Sequence, residues 1–167
     1  MPTSLTSTIR ASISAVNRKT RAGHDTVETI PNSPDVALAY GNGYARADIA
    51  FSDIRALGPS TNESLDLAGV LTDAFGQTIT AAKVKAIEIE NPEASLSTIT
   101  VGGAASNTFN GPFSGPTFTI DLKPGDKAVF VSRTGWIVTA TTGDLLKVAN
   151  GAGGGVSYII KIIASSL

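Results

Sequence analysis

From about Asp35 onward the chain alternates apolar and polar residues in short runs, broken by Gly, Pro, Asn and Asp. Val36 to Tyr40 is an apolar run closed by Gly41-Asn42-Gly43, a turn sequence. Ala45, Ala47, Ile49 and Phe51 then alternate with Tyr44, Arg46, Asp48 and Ala50. Phe118, Ile120 and Leu122 alternate with Thr117, Thr119 and Asp121, and Lys123-Pro124-Gly125-Asp126 supplies the turn that follows. Trp136 to Ala140, Leu145 to Val148 and Val156 to Ile163 continue the series, the last run being apolar on both faces as in a central strand. Lys83 to Glu90 also alternates, but its phase slips between Ala86 and Ile87, which predicts a bulge or burial of both faces there. Helix has almost no signal: Leu65 to Ala74 has room for one turn at most. About eight to ten short strands with turn signals about 8–12 residues apart predict an all-β protein. The expected architecture is a jelly-roll-like antiparallel β-sandwich, because that arrangement closes eight strands into two packed sheets. Its expected core is Phe118, Ile120, Leu122, Val129, Val131, Trp136, Val138, Tyr158, Ile160 and Ile162.

The first 34 residues differ in kind and predict an extended N-terminal arm, with the sandwich domain spanning 35–167. Ile9, Ala11, Ile13 and Ala15 alternate with polar residues as one short strand, and Pro31 and Pro34 oppose both helix and central strand. One strand is not stable alone, so it must add to the body, to another subunit or to a partner. Charge supports the division. Arg10, Arg18, Lys19 and Arg21 are the only charged residues before Asp25, whereas the rest carries nine Lys and Arg against fourteen Asp and Glu. A basic arm on a mildly acidic body makes these four cations the candidate partner contacts. Charged residues are only 16% of the chain, below the usual quarter or so. Part of the surface is therefore expected to be covered, including by other copies, with a homotrimer favoured over a dimer.

Candidate chemistry adds little. With no cysteine there is no disulfide and no thiolate metal site, and the one histidine, His24, sits in the polar arm. Metalloprotease, zinc, nucleophile-elbow and EF-hand patterns are missing. The glycine run 151–155 lacks the Lys-Ser/Thr of a P-loop and leads into a strand, so it is read as a flexible hairpin loop. Glu88 and Glu90 fall on one strand face, with Glu93 beyond them, and read as solvated rather than calcium-binding. Trp136, Phe113, Phe118 and Tyr158 would make a sugar platform only if exposed together, and core packing is the simpler expectation. No catalytic residue, metal ligand or cofactor is expected, and the chain is read as a non-enzyme. Four cations without interleaved aromatics give no expectation of direct nucleic-acid contact. No apolar run approaches the roughly 20 residues of a membrane span, and no charged region followed by an apolar stretch marks a signal peptide.

The order of short motifs from about Ala47 onward is distinctive. It runs Leu71-Thr72-Asp73-Ala74-Phe75-Gly76, Lys83-Val84-Lys85-Ala86-Ile87, Thr100-Val101-Gly102-Gly103-Ala104, Asn110-Gly111-Pro112-Phe113, Lys123-Pro124-Gly125, Gly135-Trp136 and Asp144 to Ala149. It resembles small β-rich virion structural proteins of tailed phages, of the capsid decoration or cement type. The resemblance implies a jelly-roll-like sandwich, a place in the virion after assembly in the host cytoplasm, and the major capsid protein as partner. Its motifs are turns and strand edges, so a head or tail fibre, spike or baseplate subunit that binds host glycan is the alternative. That alternative calls for exposed aromatics and carboxylates in the 102–116 loop, which offers Phe109 and Phe113 but no acid.

Overall fold

The computed structural model describes residues 4–21 and 24–167, with the side chains of 19–26 outside that description. All regular structure among the described residues is β. The strands are β1 (Ser7–Ile9), β2 (Ala15–Arg21), β3 (His24–Ile30), β4 (Val36–Tyr40), β5 (Arg46–Ala47), β6 (Ile49–Leu57) and β7 (Asn62–Asp66). They continue with β8 (Lys83–Glu90), β9 (Ile99–Gly102), β10 (Thr119–Leu122), β11 (Lys127–Ile137), β12 (Leu145–Asn150) and β13 (Val156–Ser165). The segment 65–74 ends a strand and turns; it holds no helical turn.

Two four-stranded sheets, ordered β11-β8-β13-β6 and β10-β9-β12-β7, form an antiparallel sandwich. Its pairings are nested. β6 pairs with β13, β7 with β12, β8 with β11 and β9 with β10, as in one long hairpin folded over on itself. The contacts β13–β8 and β12–β9 then zip each sheet across its middle.

Alternation explains which side chains fill the space between the sheets. In β13, Val156, Tyr158, Ile160, Ile162 and Ala164 face inward and are buried, while Ile159 and Ile163 face outward and are only partly covered. Phe51, Val84, Ile87 and Ile89 join them from the same sheet, and Leu65, Ile99, Val101, Leu122, Leu146 and Val148 come from the other. Phe109, carried by the long 103–118 loop, is fully buried in the same cluster. Fully burying a side chain such as Ile160 contributes about 1.5–3 kcal/mol relative to leaving it exposed.

The expected core therefore holds for Leu122, Val138, Tyr158, Ile160 and Ile162, with Ile120 and Trp136 packed against it. It fails in three places. Ala128 and Phe130, not Val129 and Val131, face inward from β11, and the two valines belong to the outer face. Phe118 precedes β10 and is 59% exposed.

The phase slip in β8 is a bulge, placed at Lys85. Ala86 pairs with Ile163 and Val84 with Ala164, which leaves Lys85 without a partner on β13. On the other side Val131 pairs with Ala86 and Trp136 with Val84, so residues 132–135 loop out of β11. The Lys123–Asp126 turn forms as its sequence predicts. The Asp126 amide donates to the Lys123 carbonyl at 2.9 Å, and the Lys123 amide donates to Asp126 Oδ2 at 2.9 Å. The glycine run is not an open loop. A Cβ at Gly151, Gly153 or Gly154 would come within 2.7–2.8 Å of Ser97 Oγ, Leu96 O and Leu96 Cβ respectively. Close packing against the 96–97 segment, rather than freedom of movement, accounts for those glycines.

The arm also departs from the expected single strand. Ile9 ends β1 and Ala15 begins β2, with residues 10–14 between them outside any strand. β1 pairs antiparallel with β4, Ser7 opposite Leu38, and so ties the base of the arm to the segment entering the sandwich. β2 and β3 pair with each other from Ala15 opposite Ile30 to Arg21 opposite His24, as a separate two-stranded ribbon.

Candidate functional site

Three buried or half-buried polar constellations stand out, and each is explained by structure. At the bulge the Lys85 side chain is buried and its Nζ donates to the carbonyls of Gly43 at 2.8 Å, Thr134 at 2.7 Å and Arg133 at 3.3 Å. Desolvation lowers its pKa, with Lys83 nearby adding to the effect. No carboxylate accompanies it, and its three acceptors are all backbone, so it staples two loops together.

At the open side of the sandwich, β6 and β7 are the edge strands of their sheets. Arg55 of β6 donates through Nε to Glu63 Oε2 of β7 at 2.7 Å and through a terminal nitrogen to Asp53 at 2.8 Å. The buried Tyr158 donates its hydroxyl to Glu63 Oε1 at 2.9 Å. The Glu63 hydrogen bond holds the guanidinium protonated, and burial followed by the Glu63 charge pushes the phenol well above its usual range. This cluster clasps the seam between the sheets.

On the outer face of the β11-β8-β13-β6 sheet, Glu88 bonds Lys161 at 2.7 Å, and Lys127 bonds Glu90 at 2.6 Å and Glu88 at 3.6 Å. Hydrogen bonding from Lys161, opposed by partial burial, holds the Glu88 carboxyl below its usual range. Glu88 and Glu90 do share one face, as their spacing predicts, but their charges are matched by lysines. That outer face is apolar over much of its area and only partly covered. β1 lies over one part of it: Thr8, Ile9 and Arg10 enclose a space of about 310 Å³ with Ala86, Glu88, Val129, Lys161 and Ile163. Toward the other end the same face carries an open groove of about 660 Å³. Ile54 and Ala56 of β6 and Ser157 and Ile159 of β13 form its floor, and the 92–96 segment forms its wall. Ile54 and Leu96 are each 70% exposed there.

The second such feature is the ribbon. Residues opposite each other in a strand pair share a face. Val16 pairs with Thr29 and Arg18 with Val27, so Val16, Arg18, Val27 and Thr29 lie together on one face of the ribbon. Ala15 and Ile30 lie on the other. Val16, Val27 and Ile30 are 58%, 50% and 48% exposed, so neither face is covered by the body.

The four predicted contact cations are not assembled into one patch. Arg10, beside β1, pairs with Asp35 at 2.8 Å, an exposed ion pair that adds little stability. Arg18 stands exposed on the ribbon. Lys19 and Arg21 belong to β2, and their side chains, like His24, lie outside the described residues. The aromatic set does not converge either. Tyr158 and Phe109 are buried, Phe113 packs edge-on against Phe130 at 5.9 Å, and Phe118 is exposed. Among the described residues no three His, Asp or Glu come together as metal ligands.

Sequence reasoning missed the groove, the Lys85 staple and the Arg55 clasp. The staple had a signal, since Lys85 sits beside the phase slip. The groove had none, because its residues come from three separated segments. No family model matches the chain, and no curated protein or solved structure is significantly similar to it.

Proposed function

We propose that this chain is a virion structural protein of a tailed phage, a capsid decoration or cement subunit that stabilises the shell through contacts with the major capsid protein. The observation that carries the reading is the β2–β3 ribbon, bare on both faces and projecting from a packed sandwich. A two-stranded ribbon is at best marginally stable in water, so its apolar residues are best explained by a surface that covers them. The nested strand pairs of the sandwich support a jelly-roll topology, in agreement with the motif resemblance. A stiff sandwich adds interface area without needing to move. Arg10, Arg18, Lys19 and Arg21 would steer the arm toward an acidic shell, over distances limited to about 10 Å at 0.1 M salt.

The test is copy number in purified particles, measured by quantitative mass spectrometry against the major capsid protein. Copies in the range of the capsid protein itself are expected. A number matching only the tail or fibre symmetry, or absence from particles, would overturn the capsid role.

A further inference from the structure

We propose that the groove lined by Ile54, Ala56, Leu96 and Ile159 is the seat of the β2–β3 ribbon of a second copy of this chain. Four observations converge on that occupant. The groove is apolar and open, on an outer sheet face whose neighbouring part is already covered by β1 of the same chain. A ribbon lying in the groove would therefore extend an existing covered interface. The ribbon is the complementary piece: Val16 and Val27 share a face and are uncovered by their own body. It is long enough to cross the groove, since seven residues per strand reach roughly 23 Å and the two strands of the floor lie only about 5 Å apart. Charge agrees as well. Arg18 lies on the valine face, while exposed Glu93 stands within the 92–96 wall of the groove and no cation lines it.

Seating the Val16–Val27 face leaves the Ala15–Ile30 face outward, free for a further partner such as a shell surface. Exchange of arms between copies closes into a ring when each copy both gives and receives one.

The inference rests on reading the ribbon as an assembly element, yet it is tested apart from the capsid role, because self-association is measured without particles. Sedimentation equilibrium of the full chain should show concentration-dependent species heavier than 17.1 kDa. Leu96→Asp in the groove, and Val16→Asp with Val27→Asp in the ribbon, should each weaken association by about tenfold or more. Their melting transitions should stay intact, since all three residues are exposed. Because the chain has no cysteine, single-cysteine variants report contacts cleanly. Val16→Cys mixed with Leu96→Cys should give a mixed disulfide dimer, and neither should crosslink to Thr142→Cys on a distant turn. A monomer at all concentrations, variants that associate like the parent, or a 16–96 disulfide formed only within one doubly substituted chain would overturn the proposal.

Discussion

Gly135→Ala probes how the Lys85 staple is built. Gly135 has φ +88°, and a Cβ there would lie 2.9 Å from Lys85 Cδ and 3.0 Å from Lys83 Cβ. Two costs follow. Left-handed backbone costs an L-residue about 1–2 kcal/mol. Pushing the Lys85 stem aside also pulls Nζ from the carbonyls of Gly43 and Thr134, and hydrogen bonds to a charged group contribute about 1.5–3 kcal/mol. The expected loss is therefore about 3–5 kcal/mol. For a chain of this size about 3 kcal/mol lowers Tm by roughly 6–12 °C. In a Lys85→Ala background the stem is gone, so Gly135→Ala should cost only about 1–2 kcal/mol. A double-mutant cycle by urea denaturation should then show about 2 kcal/mol of coupling. Strict additivity would refute the argument that Gly135 is glycine to let Lys85 through.

Ile160→Asp should unfold the sandwich or destabilise it by several kcal/mol, read by thermal denaturation, because it puts an unpaired charge at a fully buried position. Tyr158→Phe should cost about 1–2 kcal/mol by leaving Glu63 Oε1 short of a donor. In ultraviolet titration it should also abolish a late tyrosine ionisation step: the raised phenol pKa means that the unfolded state deprotonates first, so stability is present below pH 10 and declines above it. Glu88 has the opposite sign. Its lowered pKa supplies stability above pH about 4.5 that is lost as pH falls through the folded value, so Glu88→Gln should flatten the acid limb of a stability–pH curve by under about 1 kcal/mol. Deleting residues 2–30 should leave a folded sandwich that coats particles more weakly than the full chain, with the deficit shrinking at high salt; equally tight coating would show that the arm is not the anchor.

The strands of the sandwich were legible because alternation and turn residues agree, as at Thr119–Asp126. Where the reading failed, the outer face misled it. Val129 looks like core in the sequence because it lies beneath β1 beside Ile163, so both faces of its strand are partly apolar. Small Ala128 carried too little hydrophobic signal to set the phase of β11. β3 was missed for a different reason. His24 to Ile30 has no clean apolar alternation, but Thr26, Val27, Thr29 and Ile30 are all β-branched, and that propensity marks a strand. Arg55 and Glu63 lie on consecutive strands, but Tyr158 is 95 residues beyond Glu63 and joins them only because β13 pairs with β6. No local pattern encodes such a meeting.

The low charge of the chain and its bare ribbon have a common physical origin. A sheet with one solvated face normally sets charged residues along it. Here the outer face of β11-β8-β13-β6 keeps two lysines that are matched by two glutamates, and beside them lie Ile54, Ala56, Val129, Ile159 and Ile163. β1 covers part of that surface, and the remainder stays open. The ribbon, with Val16, Val27 and Ile30 about half exposed, is another element with unmet apolar area. The chain thus exposes two incomplete surfaces of matching character, and joining them between copies removes both from water with the elements it already has. A substitution that adds charge to either surface should therefore affect assembly before it affects folding.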